Sequence, residues 1–326
     1  MTLKFIDLFA GIGGIRLGFE QSGMECVFSS EWDRFAAQTY QANFGEIPHG
    51  DITQISAGDI PDHHILAGGF PCQPFSTIGK RQGFGHETQG NLFFEILRIL
   101  EGKKPNAFLL ENVPGIRTIE GGRVFESILE ELGNIGYYTT TLDLNAVDYG
   151  VPQNRKRVYF VGVYKKYGKA FDYIKPKPVQ QSIGRHIEKN AQGYDMSEHI
   201  VNKYLFKKDD GRPEIVDETT DTPVKTLVST YHKIQRLTGT FVKDGDKIRL
   251  LTEGECKAIM GFPQSFIIPV SRTQMYRQMG NSVAVPVIAD IACQLKEFLV
   301  TGGKNNSRDF DEGDLAWKQL KLLSLA

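Results

Sequence analysis

The first 165 residues alternate between short apolar runs and stretches of helical period, and this alternation limits the folds open to the chain. The strand-like runs are 3–9, 25–29, 64–67, 107–110, 139–144 and 158–163, and helical patterns occupy 15–22, 34–43, 92–101 and 124–133. Strand followed by helix, repeated, predicts an α/β domain with a mainly parallel sheet. Ligands of such sheets bind beyond the carboxyl ends of the strands. Residues directly after each run are therefore the first candidates for chemistry.

Past residue 169 the pattern changes. Pro176, Pro178, Pro213 and Pro223, with the short β-like pieces 225–229, 239–242 and 247–251, predict a smaller, loop-rich β domain over 175–251. A helix over 252–260 stops at Gly261-Phe262-Pro263, and a second runs from 283 to about 299. The tail from 302 is polar, with a short helical pattern at 315–323. No apolar run approaches the ~20 residues of a membrane span, and Met1-Thr2-Leu3-Lys4 leads into the first run without a signal-peptide layout. Cys26, Cys72, Cys256 and Cys293 are far apart and form no metal-ligand or disulfide pattern, which fits a reducing, cytoplasmic setting.

Charge is unevenly spread. The net charge is -1, yet 146–190 carries ten Lys/Arg against three Asp/Glu, and 225–250 carries six against two. A nearly neutral chain can still bind a polyanion if such stretches share a face.

The first run ends in Phe9-Ala10-Gly11-Ile12-Gly13-Gly14 and opens into a helix, where glycines admit a ligand to the backbone and free N–H groups point outward. The dinucleotide fingerprint fails, because Arg16 stands where its third glycine belongs. Glu31 and Trp32 follow the second run, and Gly50-Asp51-Ile52 marks a further strand position. A glycine loop and two acids at three strand ends suggest a nucleoside cofactor without a pyrophosphate. Cys72, between Pro71 and Gln73-Pro74, is confined to a non-helical loop after the run at 64–67. The stretch 77–90, with Gly79, Lys80, Arg81, Gly83 and Gly85, reads as a basic lid. Glu111 closes another run, and in Gln153-Asn154-Arg155-Lys156-Arg157 the two arginines share a face if the segment is extended.

Taken together, these residues resemble the DNA cytosine-5 methyltransferases of prokaryotic restriction–modification systems. Phe9–Gly14 is similar to their first motif, Gly69–Ser76 to the Pro-Cys motif, Glu111-Asn112-Val113 to the Glu-Asn-Val motif and Gln153–Arg157 to the Gln-x-Arg-x-Arg motif. Glu255-Cys256, Gly261-Phe262-Pro263 and Gly280-Asn281-Ser282-Val283 also match in order. Gln89, Gly254 and Lys257-Ala258 depart from the usual pattern, and no role is carried onto them.

The resemblance implies a Rossmann-like, S-adenosylmethionine-dependent methyltransferase sheet with a mostly β target-recognition domain inserted. Residues 1–174 and 277–326 would form the catalytic and cofactor domain, 175–251 the recognition domain and 252–276 a hinge region. It also implies that Cys72 adds to C6 of a cytosine, that Glu111 supplies a proton at N3, and that Arg157 and Arg155 bind O2 or a nearby phosphate. S-adenosyl-L-methionine would be held by Phe9, Gly11, Ile12, Gly13, Gly14, Glu31, Trp32, Asp51, Ile52, Phe70, Pro71, Leu92, Asn281, Ser282 and Val283. Ser76, Lys80 and Arg81 of the lid, with Lys225, Thr226, Lys233 and Arg236, would contact double-stranded DNA around a base turned out of the helix. The implied enzyme is a monomer in the cytoplasm, acting beside an independent restriction endonuclease. Its rivals are a tRNA cytosine-5 methyltransferase and a catalytically silent DNA-binding relative. The first typically carries a Cys-Phe-Thr segment that this sequence lacks.

Overall fold

The structure is a computed structural model that describes residues 2–70 and 92–303. Its larger sheet has six strands: β1 (Lys4–Leu8), β2 (Glu25–Ser30), β3 (Ile65–Gly69), β4 (Ala107–Asn112), β5 (Tyr137–Asn145) and β6 (Lys156–Tyr164). They lie in the order β2-β1-β3-β4-β6-β5. Only β6 runs against its neighbours. Both faces are covered, and therefore the central strands read as continuous apolar runs rather than alternating ones. Phe5, Ile65, Ala67, Leu109 and Val161 face one core cluster, while Ile6, Leu66, Phe108, Leu110 and Phe160 face the other.

Helices α1 (Gly14–Gln21), α2 (Arg34–Phe44), α3 (Leu92–Lys103) and α4 (Arg123–Asn134) follow the predicted segments. On α2 the Asp33 carboxylate accepts from the Phe35 and Ala36 amides, and Gly45 ends the helix at φ 73°. On α4, Val124, Ile128 and Leu132 form a buried stripe at helical spacing.

The chain then enters a looser region. A single turn, α5 (Glu198–Ile200), precedes a three-stranded sheet of β7 (Glu214–Val216), β8 (Thr240–Asp244) and β9 (Lys247–Arg249). Next come α6 (Glu253–Met260), α7 (Arg272–Asn281) and α8 (Val285–Val300). The Thr252 hydroxyl and Glu255 carboxylate form a capping box on α6. Helix α8 returns to the large sheet and packs on α1, where Gly18 leaves no room for a Cβ against Ile288 and Ala289.

A third cluster joins Phe241 and Val242 of the small sheet to Cys256, Ile259 and Met260 of α6 and to Met275, Tyr276 and Met279 of α7. Residues 252–276, expected as a hinge region, thus contribute side chains to the core under the small sheet. One expectation changes, and two elements are new. Segment 225–229 is not a strand, and α7 and β7 were not foreseen. Among the described residues no helix is long and apolar enough to cross a membrane.

Candidate active site

The carboxyl ends of β1, β2, β3 and β4 lie together along one rim of the large sheet. After β1 the backbone turns sharply, with Phe9, Gly11 and Gly13 all at positive φ (55°, 56° and 89°). The glycines serve different ends. A Cβ on Gly11 would meet nothing within 4 Å, so this stretch of backbone faces open space. One on Gly13 would strike the Phe44 ring, and one on Gly14 would lie 2.7 Å from Ser282 Oγ and 2.9 Å from Val283 Cγ2. Only Gly11 leaves its backbone open to a ligand.

Glu31 sits at the end of β2, where one carboxylate oxygen accepts from the Gly11 amide at 2.8 Å and the other from the Asp33 amide at 2.7 Å. Burial raises its pKa above the usual carboxylate value, against the pull of those amides. Trp32 beside it is 80 % exposed. Asp51 does not end a strand, as the sequence suggested. It caps a short turn by accepting from the Thr53 amide at 3.0 Å, next to the His49 bridge to β2. Ile52 and Phe70 are buried, Leu92 is half-buried against the same cluster, and Asn281 is exposed. An open glycine backbone, a strand-end carboxylate and an exposed indole fit a nucleoside cofactor. Beneath this rim Asp7, wholly buried on β1, has its pKa raised by desolvation to about 8 despite nearby Arg16.

The second half of the site is built by β3, β4 and β6. Gly69 is in register with Glu111, and a Cβ there would lie 3.5 Å from Glu111 Oε2. Arg157 Nε holds Glu111 Oε1 at 2.8 Å, with both side chains 12 % exposed. Burial raises the Glu111 pKa, and the neighbouring Arg157 and Arg155 hold it back. Asn112 Nδ2 donates to the Phe70 carbonyl at 2.9 Å and so fixes the chain just before Cys72. Pro71, Cys72, Ser76, Lys80 and Arg81 lie outside the described residues.

Arg155 corrects the sequence reading. Strand β6 begins only at Lys156, so the alternation that would aim Arg155 beside Arg157 does not reach it. Its guanidinium turns inward and donates to the carbonyls of Leu227 (3.0 Å), Gly280 (3.0 Å) and Ser282. Burial and Arg157 lower its pKa to about 9, which leaves it charged at neutral pH.

Arg236 is a second correction. Rather than reaching outward, it donates to the carbonyls of Leu205, Lys208 and Arg212 and pairs with Asp210. Every arm of its fork is engaged, so it builds a loop instead of contacting a ligand. Lys225 and Lys233 are exposed, and the Thr226 hydroxyl donates to the Asn154 carbonyl at 2.6 Å. Lys225 lines an open cleft of about 700 Å³ with Phe206, Lys208, Arg212 and Glu214.

Gln153 was not foreseen as a working residue. Its Oε1 accepts from the Leu227 amide at 2.8 Å and its Nε2 donates to the Ile259 carbonyl at 2.7 Å. It thereby takes the Leu227 amide, which a strand over 225–229 would have given to a neighbouring strand. Gly254, where the family commonly has Arg, leaves space that the Glu188 carboxylate fills.

A sequence model of the C-5 cytosine-specific DNA methylases matches residues 3–297. The chain belongs to this family. It is 55 % identical over 313 residues to the Type II methyltransferase M.MspI of a Moraxella species, covering 96 % of this chain and 75 % of that protein. It is equally identical over 303 residues to M.BsuFI of Bacillus subtilis, covering 92 % and 74 %. Among solved structures, a mutant DNMT2 of Spodoptera frugiperda superposes with a TM-score of 0.75 at 24 % identity, covering 90 % of this chain and all of the other. That likeness speaks for the fold, which is the Rossmann-like sheet of these methyltransferases. The methylase is a DNA (cytosine-5-)-methyltransferase of the restriction–modification type, and S-adenosyl-L-methionine is its methyl donor.

Proposed function

We propose that this methylase modifies C5 of a cytosine turned out of duplex DNA, through a covalent bond between Cys72 and C6. The observation that carries the reading is the buried Glu111–Arg157 pair at 2.8 Å, beside Gly69 and three residues of chain before Cys72. C5 of cytosine is a poor nucleophile until a thiolate adds at C6. A free thiol titrates at ~8.5, so its surroundings must favour the anion. Addition drives charge onto N3 and O2 of the ring. Glu111, biased toward its protonated form by burial, is suited to give N3 a proton, and Arg157 is suited to receive O2. S-adenosyl-L-methionine, when bound, supplies an electrophilic methyl group at C5. Loss of the C5 proton then restores the ring and expels Cys72.

For the cofactor, the Gly11 backbone, Glu31 and Trp32 would hold the nucleoside, and Ser282 and Val283 close the pocket against Gly14. Residues 175–251 would read a short duplex site, with Lys225 and Lys233 toward the DNA. Turning the base out costs a few kcal/mol, which protein contacts must offset. The enzyme would act as a cytoplasmic monomer, independently of a cognate endonuclease.

Cys72→Ser should reduce methyl transfer to background while leaving cofactor affinity and thermal stability near wild type. A variant that still methylates cytosine at the normal rate would refute the adduct. Parallel assays on duplex DNA and tRNA check the polymer, with incorporation expected in the duplex alone.

A further inference from the structure

The Arg155 guanidinium bridges two parts of the chain that are distant in sequence: Leu227, in the loop between β7 and β8, and the end of α7, where it holds Gly280 on the last turn and Ser282 in the following loop. It is 2 % exposed, so these contacts are screened from water. The Ser282 side chain in turn abuts Gly14 at the start of α1, with no space for so much as a Cβ between them. On the other side, Leu227 is fixed by Gln153, and Gly280 packs against the backbone of Val228 and Ser229 so tightly that a Cβ would collide with it. A shift of 227–229 therefore cannot leave 280–282 in place, and a shift of 280–282 moves the wall of the glycine loop. No other charged group satisfies the three carbonyls among the described residues. Their loss would leave buried acceptors unpaired.

We propose that Arg155 is a positioning residue that makes cofactor engagement and target engagement interdependent, by holding Leu227, Gly280 and Ser282 on one guanidinium. The inference rests on the placement of the cofactor at Gly11–Gly14 and of the target at 175–251. Filling the cofactor pocket fixes Ser282, Arg155 passes that constraint to Leu227, and the recognition segment is ordered before DNA arrives. By linkage, DNA tightens the cofactor by the same factor.

Two measurements test this. Hydrogen exchange on the wild-type enzyme with S-adenosylhomocysteine alone should show slowing at residues 226–229 as well as at 9–14. Protection confined to 9–14 would overturn the inference, and no protection at 9–14 would overturn the cofactor placement along with it. The second measurement uses a duplex carrying the site that bisulfite mapping identifies. S-adenosylhomocysteine should tighten its binding about fivefold or more in wild type, and less than about twofold in Arg155→Lys, whose shorter, compact ammonium lacks the two separate arms that hold Leu227 and Gly280. A purely structural arginine would weaken both affinities while preserving their interdependence, and that result would contradict the proposal. If Arg155→Lys does not fold, the exchange pattern of the wild type decides.

Discussion

The large lobe is a six-stranded sheet with helices on both faces, whereas the small lobe sets three strands of three to five residues around buried arginines. In the large lobe, backbone ladders and apolar side chains do the holding. In the small lobe, Arg249 is wholly buried, pairs with Glu255 at 2.8 Å and Asp244 at 2.9 Å, and donates to the carbonyls of Glu188 and Leu250. Arg236 does the same for the loop over 205–212. Guanidinium forks tie irregular backbone together without demanding a regular ladder, which suits the loop-based DNA reading proposed for this lobe. The large lobe, whose strand ends must hold Glu31, Glu111 and Arg157 in fixed relation, is built the other way.

The comparison can be broken at its strongest point. Arg249→Met leaves the Glu255 carboxylate buried without its guanidinium partner, and should cost about 3–5 kcal/mol in urea denaturation. A loss below about 1 kcal/mol would mean that the small lobe is held by its apolar cluster alone. Gly280→Ala probes the junction between the lobes. Its new methyl collides with the backbone at Val228 and Ser229, and should cost about 1–3 kcal/mol. Methylation should weaken with it, and unchanged stability would show that the junction yields.

A pH-dependent effect concerns Asp7 in the large lobe, whose pKa of about 8 lies well above the ordinary 3.8. Between about pH 4 and pH 8 the folded protein keeps this proton and the unfolded chain does not. Stability contributed by Asp7 is therefore full at low pH and falls as pH rises through that window, by at most about 1.4 kcal/mol per pH unit. Asp7→Asn should gain on wild type as pH climbs from 5 to 8. Parallel stability curves would show that Asp7 does not titrate there.

The same contrast explains what could be read from the sequence. The four central strands of the large sheet were legible because burial on both faces leaves apolar runs, the edge strands β2 and β5 from their β-like composition, and α1 to α4 because their period is clean. The strand order and the reversal of β6 were not, since both depend on which edges meet. Glu111 and Arg157 could be named from a motif, and their ion pair follows from the β4–β6 pairing. Arg155 and Arg236 could not be told from ligand-facing arginines, because most of their partners are main-chain carbonyls that carry no sequence signature. Helix α7 was missed because Arg272, Thr273, Gln274, Arg277 and Gln278 mask the buried Met275, Tyr276 and Met279. Segment 225–229 has strand-like composition, but its amide is taken by the Gln153 side chain.

The central claim is tested most directly by incubating the enzyme with S-adenosyl-L-methionine and duplex DNA carrying 5-fluorocytosine at the mapped site, then mapping the protein by mass spectrometry. The account predicts a denaturant-stable complex with the nucleotide on the Cys72 peptide. No complex, or one on Cys26, Cys256 or Cys293, would contradict it.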